Sequence, residues 1–238
     1  MIRKTLVAAS AVLSFVLVST SAFAQTVDDI IAKNLAAKGG VEKIKAVQSL
    51  RTTGTMSGMG PQQATLLTIS KRPNMSRQEI TVNGQTIVMA FDGTAARMIN
   101  PMAGPGVIDV PSEQVEMIKD QSDIDGPLVD YKTKGSTIEF VGNEVVDGKN
   151  VVHLRIARKM LPAQEVLLDA KTFLETKITT QVPGSGVLET VLSDYRDVQG
   201  LMMPFSVKTI AAGMTVNEVK LTKIEVNPVL DDGVFKIK

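Results

Sequence analysis

Two periodicities divide this chain. Between residues 27 and 47 apolar side chains recur every third or fourth position; from Ser49 onward they alternate with polar ones in short runs broken by Gly, Pro and Asn. Val27, Ile31 and Leu35 mark one face of a helix over 27–38, because a 3.6-residue period brings positions four apart to the same side. Gly39-Gly40 ends it, and Val41 to Val47 adds a short helical turn with Ile44 inward. Residues 102–111 read as a loop, after which Ser112 is expected to cap a helix to about Ser122, with Val115 and Ile118 on its apolar face. The second half predicts strands at about 137–145, 151–158, 164–169, 174–182, 187–198, 201–211 and 215–226. Leu174, Thr176, Ile178, Thr180 and Val182 alternate with Glu175, Lys177, Thr179 and Gln181. In 187–198 the pattern leaves two faces open, since Leu188 and Leu192 compete with Val187 and Val191.

The stretch 71–101 says most, because its turns fix which side chains share a face. Asn83-Gly84 and Asp92-Gly93 are both two-residue hairpin signals. The first turn sets Val82 against Gln85, Ile80 against Ile87 and Gln78 against Met89. The second is expected to set Phe91 against Thr94, Met89 against Ala96 and Ile87 against Met98. Paired residues point the same way. One surface of the small sheet therefore collects Ile80, Val82, Ile87, Met89, Phe91 and Met98, and the other Arg77, Glu79, Thr81, Thr86 and Arg97, with Val88 and Ile99 among them. An apolar face must be covered, by protein or by ligand.

Lys71-Arg72-Pro73-Asn74, Asp92-Gly93 and Asn100-Pro101 resemble the pattern of periplasmic carriers of outer-membrane lipoproteins, the LolA-like superfamily. VDDIIAKNLAAKGGVEKIKAV at 27–47, DGPLVDYK at 125–132, LDAKTFLETK at 168–177, DYRDVQGLMMPF at 194–205 and NPVLDDGVFK at 227–236 are similar to the wider lipoprotein-sorting group. Periodicity alone gives an α+β protein with a large antiparallel sheet of about ten strands. The resemblance implies that this sheet is strongly curved, an open half β-barrel with helices covering its concave face. It also implies a hydrophobic ligand cavity at Ile80, Val82, Ile87, Met89, Phe91 and Met98, a gating role for Arg72 through bonds to the lid, and a lid helix presenting Val115 and Ile118. A guanidinium with five donors suits such a latch. The strand before Asn100-Pro101 lacks the aromatics of the dedicated carriers.

Residues 1–24 read as a cleavable secretory signal peptide: Arg3 and Lys4, an apolar run from Leu6 to Val18, and Ala22-Phe23-Ala24 as the cleavage site. Residues 25–238 are then expected to form one domain, soluble in the periplasm after cleavage, since no linker or solenoid repeat divides them. With Arg3 and Lys4 set aside, 24 basic residues face 25 acidic ones, so no basic surface for nucleic acid is expected. The chain has no cysteine, which excludes both disulfides and a lipid anchor on a lipobox.

Catalytic patterns are absent. His153 is the single histidine, expected on the polar face of its strand, and G-x-S-x-G and nucleotide loops do not occur. No catalytic residue, metal or cofactor is expected. Asp120, Asp123, Asp125 and Asp130 lack calcium-loop spacing and read as a solvated helix end. Methionine is abundant, 12 against seven Phe, two Tyr and no Trp, and such flexible thioethers accommodate irregular apolar ligands. The expected function is a non-enzymatic, monomeric periplasmic carrier of lipoprotein or lipid acyl chains. By resemblance, its partners are an inner-membrane release complex and an outer-membrane acceptor. The alternative is a periplasmic sensor of the same fold that binds a protein or peptide in envelope-stress signalling.

Overall fold

The computed structural model describes residues 25–58, 62–159, 161–184 and 186–238; the expected signal peptide, Met59 and Met160 lie outside them. Helix α1 (Val27–Ala37) begins in a capping box, with the Thr26 hydroxyl accepting from the Asp29 amide at 3.1 Å and the Asp29 carboxylate accepting from the Thr26 amide. It buries Ile30, Ile31 and Asn34. Gly39 then turns the chain at φ +117°, and the Gly200 carbonyl stands 2.2 Å from where a Cβ would sit, so only glycine fits. Helix α2 (Val41–Ala46) buries Ile44. Helix α3 (Ser112–Gln121) starts one residue earlier than expected: Pro111 holds the N-cap position and Ser112 is the first helical residue.

The strands are β1 (Ser49–Ser57), β2 (Ala64–Lys71), β3 (Met75–Val82), β4 (Gln85–Phe91), β5 (Ala96–Ile99), β6 (Ile108–Asp109), β7 (Thr137–Val146), β8 (Lys149–Arg158), β9 (Leu161–Asp169), β10 (Glu175–Val182), β11 (Gly186–Val198), β12 (Leu201–Ala211) and β13 (Met214–Val226). All belong to one antiparallel sheet in the order β6-β5-β4-β3-β2-β1-β13-β12-β11-β10-β9-β8-β7. The sheet is open, with β6 and β7 at its edges. Among the described residues the expected α+β balance thus resolves to a mostly-β architecture, thirteen strands rather than about ten, with few helices. Strand β6 falls in the segment the sequence pattern assigns to a loop.

The Asn83-Gly84 turn forms with φ of +53° and +75°, values a two-residue primed turn requires. It gives the expected pairs Val82–Gln85, Ile80–Ile87 and Gln78–Met89. The Asp92-Gly93 turn differs. It spans four residues, with Asp92 Oδ1 accepting from the amides of Thr94 and Ala95, so Phe91 pairs with Ala96 and Met89 with Met98. The slip is two residues, and a period of two leaves every side chain on its expected face.

One face carries an apolar band across the whole sheet. Ile87, Ile80, Leu66, Gly54 and Leu221 are successive partners, as are Met56, Val219, Val207 and Leu192, and Ile178, Val166, Leu154 and Phe140. The link from Leu192 to Val207 settles the ambiguity in β11: Leu188 and Leu192 face inward, while Val187 is exposed. Helix α1 packs on this face over Ile138, Leu154, Val166 and Leu168. Helix α2 covers Leu201, and α3 covers Phe91 and Ala96 through Ile118. The opposite face of β4 and β5 is closed by the chain end, where Ile237 packs on Val88, Ala90 and Ile99.

Candidate functional site

The six expected cavity residues lie on one face but in two environments. Ile80 and Val82 pack with Met56, Ala64, Leu66 and Val219. Phe91 is 1% exposed and sits under α3 against Ile118, with Met89 and Val115 beside it. Ile80, Val82, Ile87, Met89 and Met98 are only half-buried, so the apolar band runs out from beneath the helices into partial exposure. Phe91 is core by comparison. Met203 lies half-buried on the same side, while Met102 and Met214 are exposed.

The roof over the band is held by charge. Arg72 stands in the turn between β2 and β3, where its peptide bond to Pro73 is cis. Its Nε donates to the Val47 carbonyl at 2.5 Å and its Nη2 to the Ile44 carbonyl at 3.2 Å, both at the C-terminal end of α2. Nη1 and Nη2 also bond the two oxygens of Asp125 at 2.8 and 2.5 Å. These bonds keep the Asp125 carboxyl below its usual range against the opposing pull of burial, and the same contact raises Arg72.

Asp125 is one of four aspartates that the sequence pattern treats as a solvated helix end. The structure corrects that reading. Asp120 pairs with Arg158 at the end of β8, Asp123 with Lys134 at 2.5 Å, Asp125 with Arg72, and Asp130 with Lys45 of α2 at 2.6 Å. Ser122 adds a hydroxyl bond to Ser76 on β3 at 2.7 Å. Segment 122–136 is further tied to α1, where Asp28 accepts from Tyr131 Oη and Lys132 Nζ, each at 2.8 Å. Acidic spacing in the sequence could not show this, because three of the four cations come from other elements.

Beneath the roof lie two cavities of about 180 Å³ each. Ile44, Val47, Leu50, Ile124 and Met203 line one. Leu128, Ile156, Val166, Ile178 and Leu192 line the other. Each is smaller than the roughly 300 Å³ at which ligand pockets begin. Lys38 and Pro204 line both. Lys38 Nζ donates at 3.0 Å to Oε1 of Glu175, which is 8% exposed. Sequence alternation places Glu175 outward. A bulge between Glu175 and Lys177 turns it in, opposite Leu168.

His153 lies on the other side of the sheet, between Glu144 at 2.7 Å and Glu165 at 2.8 Å. Among the described residues no group of three or more His, Cys, Asp or Glu side chains is placed to hold a metal ion. No helix among them is long and apolar enough to cross a membrane.

The fold is similar to that of solved proteins of the LolA superfamily. Compared by sequence, the chain matches no protein-family model and no curated protein; the likeness is structural. A LolA superfamily protein from Nitrosomonas europaea superposes with a TM-score of 0.57 at 13% identity, over 87% of this chain and 96% of the other. A domain assigned to outer-membrane lipoprotein sorting from Vibrio parahaemolyticus gives the same score and identity, over 87% and 94%. A DUF1329 family protein from Desulfovibrio piger gives 0.61 at 14% identity, over 90% and 98%. At such identities the shared property is the fold, and function has to be argued from the site.

Proposed function

We propose that this chain is a non-enzymatic carrier of acyl chains, lodging them between the apolar face of the sheet and the helical roof, and handing them on when the roof closes. The observation that carries the reading is the charged clasp on that roof. Four aspartates on 120–130 are pinned to four cations while the apolar face beneath stays partly uncovered. A permanently closed core would gain more from apolar packing than from ion pairs at its rim, because half-buried charges lose hydration. A roof that opens needs bonds that can be exchanged. Bringing a methylene out of water gains about 0.8 kcal/mol, so a few methylenes of cargo offset the bonds that Arg72 gives up.

Strong curvature of the sheet is part of the proposal, making it a half-barrel with the roof on its concave side. Supporting it, Ser122 bonds Ser76 on β3 while Asp120, two residues away, bonds Arg158 on β8. These strands are eight steps apart in the sheet order, about 38 Å if the sheet were flat. Helix α3, at ten residues, is about 15 Å long.

The proposed setting is the periplasm, with residues 1–24 as a signal peptide, residues 25–238 as one domain, and a monomeric carrier between an inner-membrane donor and an outer-membrane acceptor. The fold of lipoprotein-sorting proteins supports that setting. Native mass spectrometry and lipid extraction on protein purified from a Gram-negative periplasm test it. Co-purifying acyl lipid, absent from Met89→Asp protein, is expected. Protein that is free of lipid and ignores added acyl chains would instead direct attention to a protein or peptide ligand.

A further inference from the structure

The two cavities under the roof are lined mainly by apolar side chains, with Asp125 on the first, Gln164, Glu175 and Tyr195 on the second, and Lys38 on both. Lys38, the C-cap residue of α1, reaches across to Glu175. The Glu175 carboxylate is unevenly used. Oε1 accepts from Lys38 at 3.0 Å. Oε2 has a longer contact of 3.4 Å from the Tyr195 hydroxyl, whose shorter bond, 2.9 Å, goes to the Glu175 backbone carbonyl. A carboxylate oxygen can accept two hydrogen bonds, so Oε2 has capacity left over in a buried, mainly apolar setting. Lys38 offsets the charge, leaving an acceptor that disfavours anions.

We infer that Glu175 is a polar anchor inside the acyl cavity, selecting amphiphiles whose first polar group donates a hydrogen bond: a hydroxyl, an amide N–H or a protonated amine. The chain of such a ligand fills the apolar space on either side of Lys38, and its donor reaches Oε2. Ligands that carry only acceptors there, such as ethers and methyl esters, leave the carboxylate oxygen as it is and gain nothing. The bulge at Glu175–Lys177 is the structural device that delivers this carboxylate to the inner face. This inference rests on the carrier reading.

The test compares 1-undecanol with its isomer methyl decyl ether, two probes of one formula that differ in having a donor. Affinities are measured by displacement of a fluorescent apolar probe from wild-type protein and from the double variant Lys38→Met, Glu175→Leu. The double variant removes both charges together and avoids stranding either one in the cavity. Wild-type protein is expected to prefer the alcohol by about tenfold more than the variant does, the worth of one hydrogen bond to a charged acceptor. The variant is expected to keep binding the ether. An equal preference in both proteins overturns the anchor while leaving the acyl cavity intact. If neither probe binds wild-type protein, the carrier reading itself falls, and the anchor with it. If the variant does not fold, the pair Lys38→Met, Glu175→Met, which also removes both charges and the carboxylate acceptor, replaces it, and an unchanged preference there also overturns the anchor.

Discussion

Arg72 and Asp125 meet through two parallel bonds, 2.8 and 2.5 Å long, and the same guanidinium reaches the carbonyls of Ile44 and Val47. One side chain thereby joins the β2–β3 turn, the end of α2 and the segment after α3. The side chains of Arg72 and Asp125 are 23% and 13% exposed, dry enough for a paired bridge to matter and wet enough for it to reopen.

Replacing Arg72 by Leu removes all four bonds and leaves the Asp125 carboxylate without its main partner. The closed form is expected to lose about 2 kcal/mol, seen as a lower midpoint in urea. Because opening competes with closure, affinity for an apolar fluorescent probe is expected to rise roughly tenfold for each 1.4 kcal/mol withdrawn from the closed form. A variant that is less stable yet binds the probe no better would argue against a clasp.

The pH dependence follows from Asp125. Its carboxyl is held below the ordinary value, chiefly by the hydrogen bonds from Arg72. The bridge therefore contributes fully above that ordinary value and is lost as pH falls through the depressed one, below about pH 4. Wild-type probe uptake should stay flat from pH 8 to 5 and climb only below about pH 4. Asp125→Asn should show raised uptake already at pH 7 and lack that acid transition. A wild-type rise centred near pH 6 would assign the control to another group.

The half-buried apolar face and the core are separable by mutation. Phe91→Ala, at a site 1% exposed, should cost about 3–4 kcal/mol. Ile87 and Met89 are half-buried, so Ile87→Asp and Met89→Asp should abolish acyl binding while the domain stays folded by circular dichroism. Unfolding by either aspartate would mean that these positions are closed core.

Gly39→Ala tests the junction that seats α1. The methyl group would meet the Gly200 carbonyl at 2.2 Å, at a φ of +117°. A loss of about 2 kcal/mol or more is expected, visible as a melting point several degrees lower. Gly40→Ala, with nothing within 4 Å of its added carbon, should be milder despite its own positive φ.

Local rules carried the sequence reading a long way. Asn83-Gly84 specified its hairpin register residue by residue, and the alternation in 137–226 placed seven strands within three residues of their ends. The Asp92 turn is two residues longer than its Asp-Gly signal predicts, a slip that a strand period of two forgives. What stayed hidden depends on pairing across distance. Glu175 faces inward because of a bulge against β9. Leu192 is assigned to the inner face only through Val207 on β12. Asp120 finds Arg158, and Asp125 finds Arg72, only after the chain has folded over the sheet. No short-range signal marks those partners.

The central claim is that the roof must move for cargo to enter, and the Ser76–Ser122 contact offers the most direct test. Their hydroxyl oxygens are 2.7 Å apart, one on β3 and the other at the end of α3, and the chain has no cysteine of its own. In the double variant S76C/S122C a disulfide would lock the roof to the sheet, and reductant would free it. Uptake of an acyl-chain probe is to be measured in both redox states. The account predicts that the oxidised protein excludes the probe and that reduction restores uptake to the wild-type level. Equal uptake in the two states, with the disulfide confirmed by mass, would contradict it.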